Sequence, residues 1–164
     1  MEATYTENDP SAPDITAFRA SHWKRLTNYI VDGLVFYELV FLAGILLAYL
    51  RPETFDVLVP EKDTRSDLLE RLVSVILYVI YMGIVETVFR GRSLGKLITG
   101  TQAVNLEGDP ISASDAWARA LARAVPFSVF SALGTPCNPW HDRWTNTLVI
   151  DLKEKAAAES SGYE

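Results

Sequence analysis

Two apolar stretches, Leu26 to Leu50 and Leu72 to Phe89, constrain this chain more than anything else in it. As helices rising about 1.5 Å per residue they measure about 37 Å and about 27 Å, against a bilayer hydrocarbon core of about 30 Å. Their apolar residues run around the whole circumference, as in Leu39-Val40-Phe41-Leu42 and Ile45-Leu46-Leu47, whereas a soluble surface helix carries a single stripe. The expectation is an all-α integral membrane protein with two transmembrane helices, and a composition that is 49% hydrophobic agrees. The formal charge of -6 argues against a nucleic-acid partner, which leaves the lipid bilayer as the first partner.

Neither stretch is free of charge. Arg25, Asn28 and Asp32 are spaced three, four and seven apart, so they share one face at the mouth of the first helix. A carboxylate inside a membrane costs roughly 2.5–3.5 kcal/mol on insertion scales, so Asp32 needs a partner, and Arg25 or Asn28 is the near one. Asp32 is the first functional candidate on that ground, with Arg25 expected to act with it. Glu38 lies about 120° around the helix from Asp32. Glu38 and Glu86 are each expected to line a polar interior or to pair with an arginine.

Basic residues orient the chain. Arg19, Lys24 and Arg25 precede the first helix, and Arg90, Arg92 and Lys96 follow the second; by the positive-inside bias both sets, and the N-terminus, belong in the cytoplasm. Residues 51–71, with six acids against four bases, then form an external loop. Beyond the second helix, Gly91, Gly95 and Gly100 punctuate a segment expected to lie on the cytoplasmic surface as a short amphipathic helix or strand, ending in a turn at Glu107 to Pro110. Ser112 and Asp115 read as a capping box that starts a third helix near Ala113. That helix carries Arg119 and Arg123. Only Ala124 to Thr135, bent at Pro126, is uncharged, so the third segment either spans with its arginines snorkelling or re-enters and turns at Gly134-Thr135-Pro136. Arg90, Arg92, Lys96, Arg119 and Arg123 are the expected contacts to anionic headgroups or to a partner protein.

Several chemistries are disfavoured. The run Gly91-Arg92-Ser93-Leu94-Gly95-Lys96-Leu97 is one residue short of a phosphate-binding loop, lacks its hydroxyl after the lysine and follows no strand. Cys137 stands alone and with His141 supplies two metal ligands where about four are needed, so no metal or other cofactor is expected. His141-Asp142-Arg143 offers an imidazole beside a carboxylate with no nucleophile, and Asp142 reads better as a partner for Lys96, Arg92, Arg119 or Arg123 than as part of an enzyme. All four tryptophans, Trp23, Trp117, Trp140 and Trp144, fall at segment ends, the place of an interfacial aromatic belt. Residues 1–18 are polar and acidic, and read as a disordered tail with no signal peptide. Residues 145–151 are expected as a short strand or interfacial segment, and 152–164 as a polar tail.

Three segments, taken together, carry a resemblance: R-L-x-N-Y-x-x-D at Arg25 to Asp32, G-R-S-L-G-K-x-x-T-G-T at Gly91 to Thr101, and P-W-H-D-R-W-T-N-T at Pro139 to Thr147. In this order they resemble the bacterial RDD membrane family, named for one arginine and two aspartates, over roughly Ala20 to Asp151. On that resemblance the arginine is Arg25, the aspartates are Asp32 and Asp142, and Glu86 with Gly91-Arg92 matches the end of the family's second helix. Ser93-Leu94 stands where many members have Thr-Pro, and the third apolar segment is shorter than theirs. The resemblance implies a multi-pass protein of the bacterial cytoplasmic membrane, in a group associated with transport of small ligands or ions. The working expectation is an oligomeric transport component, with Asp32 and Arg25 in a polar intramembrane path. The alternative is a non-transporting scaffold that binds other membrane proteins at its cytoplasmic face.

Overall fold

The computed structural model describes residues 14–53, 64–125 and 139–161. It is mostly helical. Helix α1 spans His22–Leu50 and α2 spans Thr64–Val88; a short α3 at Leu94–Thr99 leads into strand β1, Thr101–Asn105. Helix α4 is Ala113–Ala124, α5 is Trp140–Trp144, β2 is Thr147–Asp151 and α6 is Leu152–Ser161. Both α1 and the Asp67–Val88 part of α2 are long and apolar enough to cross a membrane, and only 11% and 17% of their apolar windows are buried. The core helix of a soluble protein would be mostly covered; here Leu34, Leu39, Phe41, Leu46, Leu72, Ile76 and Ile84 all stand exposed.

Two features depart from the expected all-α chain with disordered or polar tails. β1 and β2 pair antiparallel, Thr101 opposite Asp151 and Asn105 opposite Thr147. Strand was one of the two forms expected for each segment, and it forms because the β-branched and small apolar residues of both close a common core. Phe18, Val104, Leu148 and Ile150 fill one side; Ala20, Ala103, Ile111, Ala116 and Val149 fill the other. The second departure is at the ends. Ile15–Phe18, expected within a disordered tail, make a 3-10 turn capped by Asp14, and Phe18 is buried. Ala20 N–H then donates to the Val149 carbonyl at 2.9 Å, so the entry to α1 is tied to β2. Leu152–Ser161, expected as a polar tail, is a helix with no buried residue.

Close approach explains the glycines. A Cβ on Gly95 would lie 2.6 Å from the Asn28 carbonyl oxygen, so only glycine lets α3 lie against α1. Gly91 sits at a φ of +86 with the Ala103 carbonyl oxygen where a Cβ would be. Gly83 receives the Trp117 ring, and α4 packs on α2 through Ala120, Val79 and Met82. The expected capping box at the start of α4 is present, Ser112 and Asp115 each bonding the other's backbone N–H. The spanning or re-entrant segment from Ala124 to Thr135, its kink at Pro126, its turn at Gly134 to Pro136 and Cys137 lie outside the described residues beyond Val125. The same holds for residues 54–63 of the expected loop.

Candidate functional site

Five elements send charged side chains to one buried place. Glu86, on the last turn of α2, is its hub. Glu86 Oε1 accepts from Lys96 Nζ at 2.8 Å and pairs with Arg123 Nη2 at 2.7 Å, while Oε2 accepts from Arg119 Nε at 3.2 Å. Lys96 Nζ also donates to the Gly91 carbonyl at 3.0 Å, which ties the glycine turn to the cluster. Arg119, wholly buried, turns its Nη1 to Asp142 Oδ1 at 2.5 Å and also to the Thr147 hydroxyl. Asp142 Oδ2 in turn accepts from Arg25 Nη1. Arg25 completes its fork on the backbone, Nε to Ala20 O at 3.2 Å and Nη2 to Val149 O at 3.1 Å. The result is one continuous chain of charge-assisted bonds from Lys96 and Arg123 through Glu86, Arg119 and Asp142 to Arg25.

Asp32 belongs to a second set. Its Oδ2 accepts from the Ser93 hydroxyl at 2.6 Å and its Oδ1 from the Gly95 N–H at 2.8 Å, so it holds the first turn of α3 against α1. One turn earlier, the Asn28 amide bridges the Thr99 and Thr101 hydroxyls; turned so that no donor faces a donor, it also donates to the Gly95 carbonyl at 2.9 Å. The expected pairing of Arg25 with Asp32 is therefore corrected. Seven helical residues separate them by about 10.5 Å along the axis, and each finds a closer partner off the helix. Expectation for Asp142 holds in part: of its four expected partners Arg119 bonds it, Lys96 and Arg123 go to Glu86, and Arg92 bonds Gln102 at 3.1 Å.

The set of headgroup contacts divides in the same way. Arg90 is exposed and Arg92 half-buried, whereas Lys96, Arg119 and most of Arg123 are buried in the cluster. Glu38 is exposed on α1 with no bonded partner among the described residues, so it stands apart from the site. Trp23 and Trp144 are exposed and Trp117 is 38% exposed against Gly83, which suits an aromatic belt. Ser93 and Thr147 were missed as cluster residues. A serine three before Lys96 is an N-cap signal, but nothing local indicates that its hydroxyl also serves Asp32.

Burial and partners set the charges outside the spans. Burial opposes ionisation of Asp142, and the guanidiniums of Arg119 and Arg25 overcome it, holding the carboxyl well below the usual carboxylate range. Burial pulls the Lys96 ammonium down to about 7; Glu86 opposes this, and Arg123 and Arg119 add to it. His141 is pushed well below its ordinary value by burial and by the three arginines, against the opposing pull of Asp142, so it is neutral. Its Nε2 lies 3.6 Å from Asp142 Oδ1, and its buried Nδ1 has no partner among the described residues. Among the described residues no set of His, Cys, Asp and Glu side chains is arranged to hold a metal ion.

Two spaces adjoin the cluster. An inner cavity of about 50 Å³ is lined by Arg25, Asn28, Asp32, Lys96, Arg123 and His141 among others. An open cleft of about 780 Å³ runs between α1 and α2 from Asp67, Glu70 and Arg71 to Arg123. Tyr29, Tyr78 and Arg123 line both. Phe36 stacks edge-on with Tyr78 at 5.3 Å, which fixes one side of this neck.

No curated protein and no solved structure gives a match to this chain. The model of the RDD family matches residues 19–146, which takes in Arg25, Asp32 and Asp142 together with Glu86 and the Gly91 to Thr101 segment. With two apolar helices of spanning length and that match over more than three quarters of its length, this chain belongs to the RDD family of membrane proteins.

Proposed function

We propose that the chain is one subunit of an oligomeric transport component for a small solute or ion, with its N-terminus and charge cluster at the cytoplasmic side of a bacterial inner membrane. One observation carries the reading: the cleft between the spans and the inner cavity share Tyr29, Tyr78 and Arg123 in their linings, which is where a route from the charged start of α2 to the buried cluster would pass. Arg25 and Asp32 both line that cavity, although they do not pair. Two spans enclose too little for a conduit alone, and the exposed apolar faces of α1 and α2 offer surface to further copies. Orientation follows from Arg19, Lys24, Arg90 and Arg92 at one end of the spans. Solute-dependent ion or proton flux into proteoliposomes holding only this chain supports the reading; vesicles as tight as protein-free ones overturn it.

A second reading has its own observation. Glu86 and Asp142 are each held by at least two cations, and carboxylates so firmly occupied suit a static module that keeps the cytoplasmic end of the spans in shape for a partner protein. On that reading the proteoliposomes stay tight, and exchanging Arg90 and Arg92 for neutral residues weakens partner capture without changing the melting temperature. Neither reading uses His141 as a catalytic base.

A further inference from the structure

The charges around the inner cavity do not balance. Among the described residues, four buried basic groups, Arg25, Lys96, Arg119 and Arg123, share two carboxylates, Glu86 and Asp142. The third acid, Asp32, accepts from the Ser93 hydroxyl and the Gly95 N–H, neutral donors that leave its charge to offset one cation, so one positive charge remains over. Residues 126–138, between α4 and α5, contribute no acid. Arg25, Lys96 and Arg123 of the cluster line the cavity, Asp32 is the one acid among the described residues that does, and Leu26, Tyr78, Pro139 and Val149 supply apolar wall. Removing cations from water is costly unless each is matched, and an enclosed surplus sets up a positive potential that a small anion relieves. The cavity, about 50 Å³, has room for roughly four water molecules, which suits a small ion and excludes a lipid headgroup with its chains.

We infer that the inner cavity binds one small monovalent anion of carboxylate type, with Arg25, Lys96 and Arg123 facing its charge and Leu26 and Val149 its apolar end. The inference deepens the transport reading by naming a class of solute, and rests on that reading only in treating the bound anion as cargo. Binding itself is tested on the full chain in nanodiscs of zwitterionic phosphatidylcholine, replacing sodium gluconate by sodium acetate at constant ionic strength and following the melting temperature. Gluconate is too large for the cavity. A saturable rise with acetate is expected. Leu26→Phe keeps every charge and narrows the space, and should weaken apparent acetate affinity at least tenfold while retaining the helical circular dichroism of the parent chain. Arg123→Gln should weaken it by a similar factor. No saturable rise in the parent chain, or equal acetate affinity in Leu26→Phe, overturns the site. Flux without acetate binding leaves transport standing and removes this inference; acetate binding without flux does the reverse.

Discussion

At the scale of single residues, the family's arginine and second aspartate form one unit and its first aspartate another. Arg25 reaches Asp142 across 117 positions of sequence, and Asp32 reaches Ser93 and Gly95 across more than sixty. A double-mutant cycle in detergent should therefore give Arg25→Gln and Asp142→Asn a coupling above about 1 kcal/mol, because either single change strands a buried charge at a cost of about 3–5 kcal/mol. Arg25→Gln and Asp32→Asn should add within about 0.5 kcal/mol, as sites without a shared partner do. Asp142 also predicts an acid limb. Its folded pKa lies below the unfolded value of 3.8, so it contributes stability that is complete above that pH and is lost as pH falls through the folded value. Melting curves from pH 6 downward should show a drop below about pH 4 that is smaller in Asp142→Asn; identical slopes in the two proteins would remove Asp142 from the account. Sequence alone made all three signature residues visible and misassigned one bond. Helical spacing reports only which residues share a face, and here both side chains bond to residues brought in by tertiary contacts.

Among the elements, α3 is the joint on which the site depends. It is short, and its contact with α1 rests on the absence of a side chain at Gly95, on the bonds that Asp32 accepts from Ser93 and Gly95, and on the bond between Asn28 and Thr99. Gly95→Ala would put a carbon 2.6 Å from a backbone oxygen that has no room to yield. It should lower folded yield severely, whereas Gly44→Ala, with nothing within 4 Å, should be close to neutral. Gel filtration in detergent checks both; a monodisperse Gly95→Ala protein with the parent melting temperature would show that α3 has another place to sit. The long helices were legible because hydropathy is local and their apolar character surrounds the axis. The cap of α4 was legible because a capping box lies within four residues. β1 and β2 remained one of two forms each, since five-residue segments become strands only when paired, and their pairing spans the chain from Thr101 to Asp151.

For the whole molecule, the charge cluster fastens five elements at one end of the two spans, and Arg123 of that cluster also lines the cleft between α1 and α2. That convergence was legible only in part. The sequence set Asp142 beside the basic residues and allowed Glu86 an arginine, yet Lys96, Arg119 and Arg123 also read as a basic flank facing lipid, because nothing in a linear pattern says that Glu86 gathers all three. On the proposed orientation the N-terminus and α6 lie on the same side as Arg90. A protease site added after Glu164 should be cut from the cytoplasmic side in spheroplast and inverted-vesicle preparations, and cutting from outside would reverse the assignment of the cap. The central claim is that the route through the neck is the path of the solute. Its most direct test is flux in proteoliposomes of a Cys137→Ser, Tyr78→Cys protein before and after a bulky thiol reagent. The account predicts that modification at position 78 abolishes flux and that a reductant restores it for a disulfide-linked label. Flux that continues unchanged through the fully modified protein would contradict it.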